Sequence, residues 1–259
     1  MIRANSNLKF ICAFCACLWL SCSTLAQETR NLTPTQIEIE AQRQRLNSSE
    51  VEERRDAVMR LGSLRLAAAS RVALPALNDA SPIVRATAAK SILSIGAEES
   101  VSSLLPLLND KDEFVRRETA YALGLTRSRS ATAALSERLL NDKEDGVRGA
   151  AAVALGHIAD EAAVVALVGA LEQKRKPNVF VLRAAASALG QIKSRAGTPA
   201  LIAALSNEKL PSDVRREAAR SLGLIGDPSA VAALKAASTS EDPYLSQIAY
   251  EALKTLGHR

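Results

Sequence analysis

Beyond residue 22 the chain has no cysteine, and beyond residue 19 no tryptophan. All four cysteines, Cys12, Cys15, Cys17 and Cys22, precede residue 23, so the remainder holds no disulfide, no thiol nucleophile and no thiolate-bound metal. Histidine is limited to His157 and His258. His157 has Asp160 three residues on, but it ends a helical stretch and reads as a surface or capping group; His258 stands next to the last residue. There is no glycine-rich phosphate loop, no serine in a nucleophile turn and no His/Asp/Glu cluster at metal-ligand spacing. Neighbouring carboxylates such as Asp142, Glu144 and Asp145 fall in turns and read as caps. No catalytic residue, cofactor or metal is therefore expected, and strand signals are missing throughout.

Aromatic residues are few, and after residue 26 only Phe114, Tyr121, Phe180, Tyr244 and Tyr250 remain. That scarcity, with charge near balance, argues against nucleic acid, which calls for a coherent basic stripe. The only long apolar run is Phe10 to Leu20, preceded by Arg3 and Lys9 and followed by Thr24-Leu25-Ala26. This is the pattern of a secretory signal over residues 1–26, too short for a membrane span of about 20 residues. Leu20-Ser21-Cys22 also resembles a lipoprotein cleavage box, which makes Cys22 a lipidation candidate, although Trp19 departs from that pattern. The expected location is outside the cytoplasm, periplasmic or secreted, with a membrane reached only through lipid on Cys22. Without Arg3 and Lys9 the basic residues number 31 against 28 acidic, a net charge of +3.

What the sequence has in abundance is repetition. Val147-Arg148-Gly149-Ala150-Ala151-Ala152-Val153-Ala154-Leu155-Gly156 recurs in imperfect copies, anchored on Leu61, Ile92, Leu123, Leu155, Leu189, Leu222 and Leu253 at steps of 31, 31, 32, 34, 33 and 31. A period in this range is the mark of stacked helical pairs. Four residues before each anchor stands a small residue: Ala57, Ala88, Thr119, Ala151, Ala185, Ala218 or Ala249. With the anchors these form an apolar stripe that one repeat cannot cover and a neighbouring repeat can.

Residues 27–34 read as a polar tether and 35–259 as the repeat array, opening on a terminal helix from Thr35 to Leu46. Ser49 and Glu52 have capping-box spacing, and Ser81, Asp112, Asn178 and Asp242 are further helix-start candidates. Pro82 and Pro243 fit first helical positions. Pro75 and Pro106 fall late in the partner helices and should kink them. The longest step takes in Lys174-Arg175-Lys176-Pro177, which reads as a solvated basic loop.

Leu108-Asn109-Asp110 followed by Val115-Arg116, and Leu140-Asn141-Asp142 followed by Val147-Arg148, each lead into an Ala-rich Leu-Gly ending. In this the chain resembles the short HEAT repeats of the phycobilisome-lyase type. The resemblance implies an all-α, right-handed α-solenoid of about seven stacked helix pairs, armadillo-like, with the motif helices on the concave side. Families with this repeat include adaptors, lyase-like chaperones and DNA-repair enzymes.

Two rows of residues are candidates for function. Arg85, Arg116, Arg148 and Arg215 recur with the repeat, and Asp79, Asp110 and Asp142 stand six residues before the first three. A residue repeated in this way reads as structural: a ladder in which arginines bond the aspartates and turn backbones of neighbouring repeats. Ligand specificity should lie where the copies differ. Arg117, Gly149, Arg183 and Arg216 form one such row, and Tyr121, Val153, Ser187 and Arg220 lie one turn further along the same face. An apolar centre at Tyr121 and Val153, with Gly149 leaving space and arginines on either side, suits a protein or peptide partner. The leading expectation is an exported, non-enzymatic interaction scaffold. The alternatives are a lyase- or isomerase-like chaperone acting on a cofactor-bearing partner and a nucleic-acid-binding solenoid.

Overall fold

The computed structural model describes residues 32–173 and 178–257. The expected signal segment, Cys22, most of the tether, the Lys174–Pro177 loop and His258 lie outside the described residues. Within them are fourteen α-helices and no strand. Seven motif helices alternate with seven partner helices. In chain order these are α1 (Pro34–Arg45), α2 (Val51–Ser63), α3 (Ala67–Ala73), α4 (Pro82–Ser91), α5 (Ala97–Leu104), α6 (Glu113–Thr126) and α7 (Thr132–Asn141). They continue as α8 (Asp145–Ile158), α9 (Val164–Leu171), α10 (Val179–Ile192), α11 (Thr198–Ser206), α12 (Ser212–Ile225), α13 (Val231–Ala237) and α14 (Pro243–Thr255). The even-numbered helices carry the motif. No helix of the described residues is long and apolar enough to cross a membrane.

The core follows the repeat register. All seven small residues, Ala57 through Ala249, are fully buried, and every anchor from Leu61 to Leu253 is buried with them. Successive motif helices pack on one another along their lengths, whereas successive partner helices touch much less. The motif helices therefore form the continuous packed layer of the stack.

The glycine after the anchor makes that spacing reachable. A Cβ on Gly124 would stand 2.7 Å from the Cα of Ala154 in the next motif helix, and one on Gly156 would stand 3.0 Å from the Cα of Ala188. Only a hydrogen at these positions lets the two backbones meet.

Four residues past each anchor, at or just beyond the end of the motif helix or of the turn that continues it, stands a residue with positive φ: Arg65, Gly96, Arg127, Ala159, Lys193, Gly226 and Gly257. Glycine takes this conformation without steric cost, and an L-residue there costs about 1–2 kcal/mol. Ala159→Gly, at φ 54°, is therefore expected to stabilise the fold by about 1 kcal/mol once glycine's greater freedom in the unfolded chain is discounted. The check is a urea unfolding midpoint above that of the parent.

Several local signals resolve differently in the structure. Asp112, Asn178 and Asp242 each accept two amides at a helix start, whereas Ser81 holds the N-cap position of α4 but its hydroxyl accepts no amide there. The expected capping box at Ser49 and Glu52 does not form: Glu50 is the N-cap of α2, and the Ser48 hydroxyl accepts the Glu50 amide. The capping box lies earlier, between Thr33 and Gln36 at the start of α1. Pro75 and Pro106 do not kink an α-helix. Each sits in the 3₁₀ turn that follows it, Leu74–Asn78 and Leu105–Asn109, where the missing amide breaks no α-helical bond.

Candidate functional site

Along one edge of the stack, where each partner helix turns into its motif helix, the arginine and aspartate side chains form rungs between repeats. Arg54 grips Asp79 through Nε and Nη2 at 2.7 and 3.0 Å, Arg85 grips Asp110 at 2.7 and 2.8 Å, and Arg116 grips Asp142 at 2.8 and 3.0 Å. In each case Nη1 donates to two main-chain carbonyls of the arginine's own preceding turn, such as those of Asp110 and Lys111 for Arg116. The carboxylate is therefore the one 25 or 26 residues ahead. The aspartate six residues behind lends Arg85, Arg116 and Arg148 only its carbonyl. Each rung aspartate also accepts an amide two residues on, at Ser81, Asp112 and Glu144.

The rungs are dry: the Arg116 and Asp142 side chains keep 6% and 2% of their exposure. Burial pushes the Asp142 carboxyl up, but the Arg116 guanidinium and the Glu144 amide outweigh it and hold the group below the usual carboxylate range. Asp110 is lowered by the same balance, and Asp79 chiefly by its bonds from Arg54. A carboxylate whose pKa is depressed on folding stabilises the fold above its unfolded pKa, near 3.9, and that contribution is lost as pH falls through the folded value. The urea midpoint should thus be level from about pH 7 to 5 and drop below about pH 4. A midpoint as high at pH 3 as at neutrality would contradict these pairings.

Two arginines expected in the ladder have no such rung. Arg148 bonds Asp145 of its own helix and the Asp142 carbonyl, and the Nε of Arg215 donates to the Leu205 carbonyl at 3.0 Å. The residue matching the next rung after Arg148 is Gln173, and after Arg215 it is Ser240; neither carries a carboxylate. Between them, in α10, the arginine position itself holds Leu182, which is buried.

The motif-helix face divides into an engaged row and an open one. Gly149 leaves no free space: the Phe180 ring of the next repeat sits on it, and a Cβ would meet that ring at 2.1 Å. Arg117 lies over the Phe114 ring at 5.1 Å, and its Cδ would be 3.6 Å from a Cβ on Gly146. Arg216, expected to be available to a ligand, instead grips Asp242 with Nε and Nη2 at 3.0 Å and covers the Tyr244 ring. It makes the seventh repeat's rung, displaced by one residue. Apart from Arg117 on Phe114, which share α6, these contacts match a large side chain to a small one, or a cation to a ring or carboxylate, across the repeat interface.

The open row differs. Tyr121, Val153 and Ser187 are half-buried and Arg220 is exposed, as is Arg183, the one of the four first-row residues that the stack leaves open. Tyr121, Arg183, Ser187 and Arg220 have no hydrogen-bond or ion-pair partner among the described residues, whereas Lys90 of the same row pairs with Glu118. His157 is exposed in the last turn of α8, and Asp160 caps the next turn and accepts the Thr132 hydroxyl, so the two do not act together. A cleft of about 710 Å³ opens beside the ladder where Arg117, Lys143 and Arg148 meet Gln173.

The HEAT-repeat family profile matches residues 39–124, 103–180 and 174–254. Among curated proteins none matches the sequence. Among solved structures, the protein YibA of E. coli is 22% identical, over 86% of this chain and 82% of its own, with a TM-score of 0.63. The CpcE–CpcF phycocyanin lyase complex of Nostoc sp. PCC7120 contributes a chain that is 24% identical, over 86% and 87%, at 0.52. An engineered protein aligns at 22% identity over 85% and 68%, at 0.56. At such identities the likeness speaks for the fold alone.

Proposed function

This chain belongs to the HEAT-repeat family, and from that premise we propose that it is an exported, non-enzymatic scaffold holding a protein or peptide along the motif-helix face. The observation that carries this reading is the contrast between the two rows. Arginines that serve the stack are paired, and the second row, with Arg183 of the first beside it, offers an apolar centre at Tyr121 and Val153 with polar groups at Arg183, Ser187 and Arg220 that have no partner among the described residues. Aromatic and arginine side chains concentrate binding energy at protein interfaces. Mixed charge at the nearby cleft, with Glu113 and Glu144 beside Arg117 and Lys143, favours a protein partner over a polyanion.

The experiment is expression of the full chain in a Gram-negative host, with intact mass and co-purifying proteins read from periplasm and membrane. Processing at Ala26, or lipid on Cys22, supports export, and an uncleaved cytoplasmic chain opposes it. A variant carrying Tyr121→Ala, Arg183→Glu and Arg220→Glu should keep its helical circular dichroism and lose about tenfold or more in partner affinity. Charge reversal at Arg216 would be a poor test, since it breaks the Asp242 pair. Undiminished binding by the triple variant would move the partner off this face.

A further inference from the structure

We propose that the interrupted rung at Arg148 is a binding site for a carboxylate, held closed in the free chain by Asp145. In the four intact rungs, at Arg54, Arg85, Arg116 and Arg216, the Nε and Nη2 edge of the guanidinium is filled by an aspartate of the next repeat. At Arg148 the same edge has no such partner among the described residues. Nη1 keeps its place on the Asp142 carbonyl at 3.2 Å, Nη2 is taken by Asp145, and Nε is buried with no acceptor. Gln173 stands 25 residues ahead, at the register of Asp79 and Asp110 relative to their arginines, and lines the cleft that Arg148 also lines. The fold has thus built the arginine half of a rung and left out the acid half.

Asp145 is a substitute of the wrong geometry. It reaches one nitrogen of the fork, its other oxygen accepts the Asn178 amide at 2.8 Å, and its side chain is 44% exposed. A carboxylate entering through the cleft would displace Asp145 toward solvent and take both Nε and Nη2, the bidentate arrangement that guanidinium and carboxylate share in the other rungs. Arg117 and Lys143 on the cleft walls draw an anion in, and Glu113 and Glu144 on the same walls limit it to a single carboxylate. The ligand class is a carboxylate on a small acid or an acidic side chain. The site lies on the ladder edge and uses none of the open row, so it does not depend on the scaffold reading.

The test follows the arginine Nε–H resonances of the nitrogen-labelled full chain while N-acetyl-aspartate amide, an aspartate-containing peptide or chloride is added. The expected result is a saturable shift of the Arg148 signal with the carboxylates, with the Arg116 signal unmoved. Tighter binding of the peptide than of the blocked amino acid assigns the source to a protein, and the reverse order assigns it to a free acid. Asp145→Ala should tighten binding roughly two- to fivefold, the range for removing a partly exposed competing ion pair. Gln173→Asp should restore the rung, abolish the response and raise the melting temperature. An Arg148 signal that carboxylates leave in place, or that chloride moves equally, would overturn the proposal. So would a Gln173→Asp chain that binds as the parent does.

Discussion

Gly124→Ala is expected to destabilise the protein by about 1–3 kcal/mol, although alanine is the better helix former. The added Cβ would stand 2.7 Å from the Ala154 Cα and 2.9 Å from its Cβ, so relief requires two backbones to separate rather than a side chain to rotate. Gly169→Ala supplies the control. That glycine also lies within a helix, α9, but it is exposed, and a Cβ there would meet only Leu140 Cδ2, at 3.6 Å. There the helix-propensity gain stands alone, and a stabilisation of about 0.5–1 kcal/mol is expected. The pair separates two roles of one residue type by chemical denaturation. Equal effects at both sites would mean that the motif helices are not in backbone contact.

The second large effect is at the driest rung. Asp142→Ala should cost about 3–5 kcal/mol, because it leaves the Arg116 guanidinium buried without its counter-charge. The double replacement Arg116→Met with Asp142→Leu should cost far less than Arg116→Met and Asp142→Leu made singly and added together, since removing both charges removes the desolvation penalty along with the attraction. Denaturant midpoints of the four proteins give the coupling energy directly. Additive losses would show that the 2.8 and 3.0 Å contacts contribute no mutual stabilisation.

The seven-fold register, the alternation of motif and partner helices and the buried stripe are all legible in the sequence. They rest on short-range periodicity, and each of the seven small residues from Ala57 to Ala249 is fully buried at the same place in its repeat. The ladder was legible as a recurrence but not as a pairing. Asp110 lies six residues from Arg116 and 25 from Arg85, and nearness in the chain favours the shorter link, while the stack brings the farther arginine to the carboxylate. A spacing of 25 or 26 that recurs from Arg54 to Asp79 and from Arg216 to Asp242 is the signal that identifies it. Gly149 shows the opposite limit. Its small size reads as empty space until the preceding turn of the next repeat is folded over it, because the ring that fills the space, Phe180, comes from 31 residues away. The seat of the Arg148 cleft depends on an omission, Gln173 in an aspartate register, and becomes visible only once the pairing is known.

The ladder ties α2 to the turn before α4, α4 to the turn before α6 and α6 to the turn before α8; it then lapses across α8, α10 and α12 and resumes only at Asp242. In a stack where each repeat touches only its neighbours, stiffness, like stability, is set interface by interface. The two interfaces without a rung, α8 with α10 and α10 with α12, are instead among the most extensively packed in the stack, so apolar contact carries there what the ion pairs carry elsewhere. Val153 of α8 and Ser187 of α10 stand on either side of the first of these, so a partner laid across that face, as proposed, would supply from outside a tie that the ladder omits.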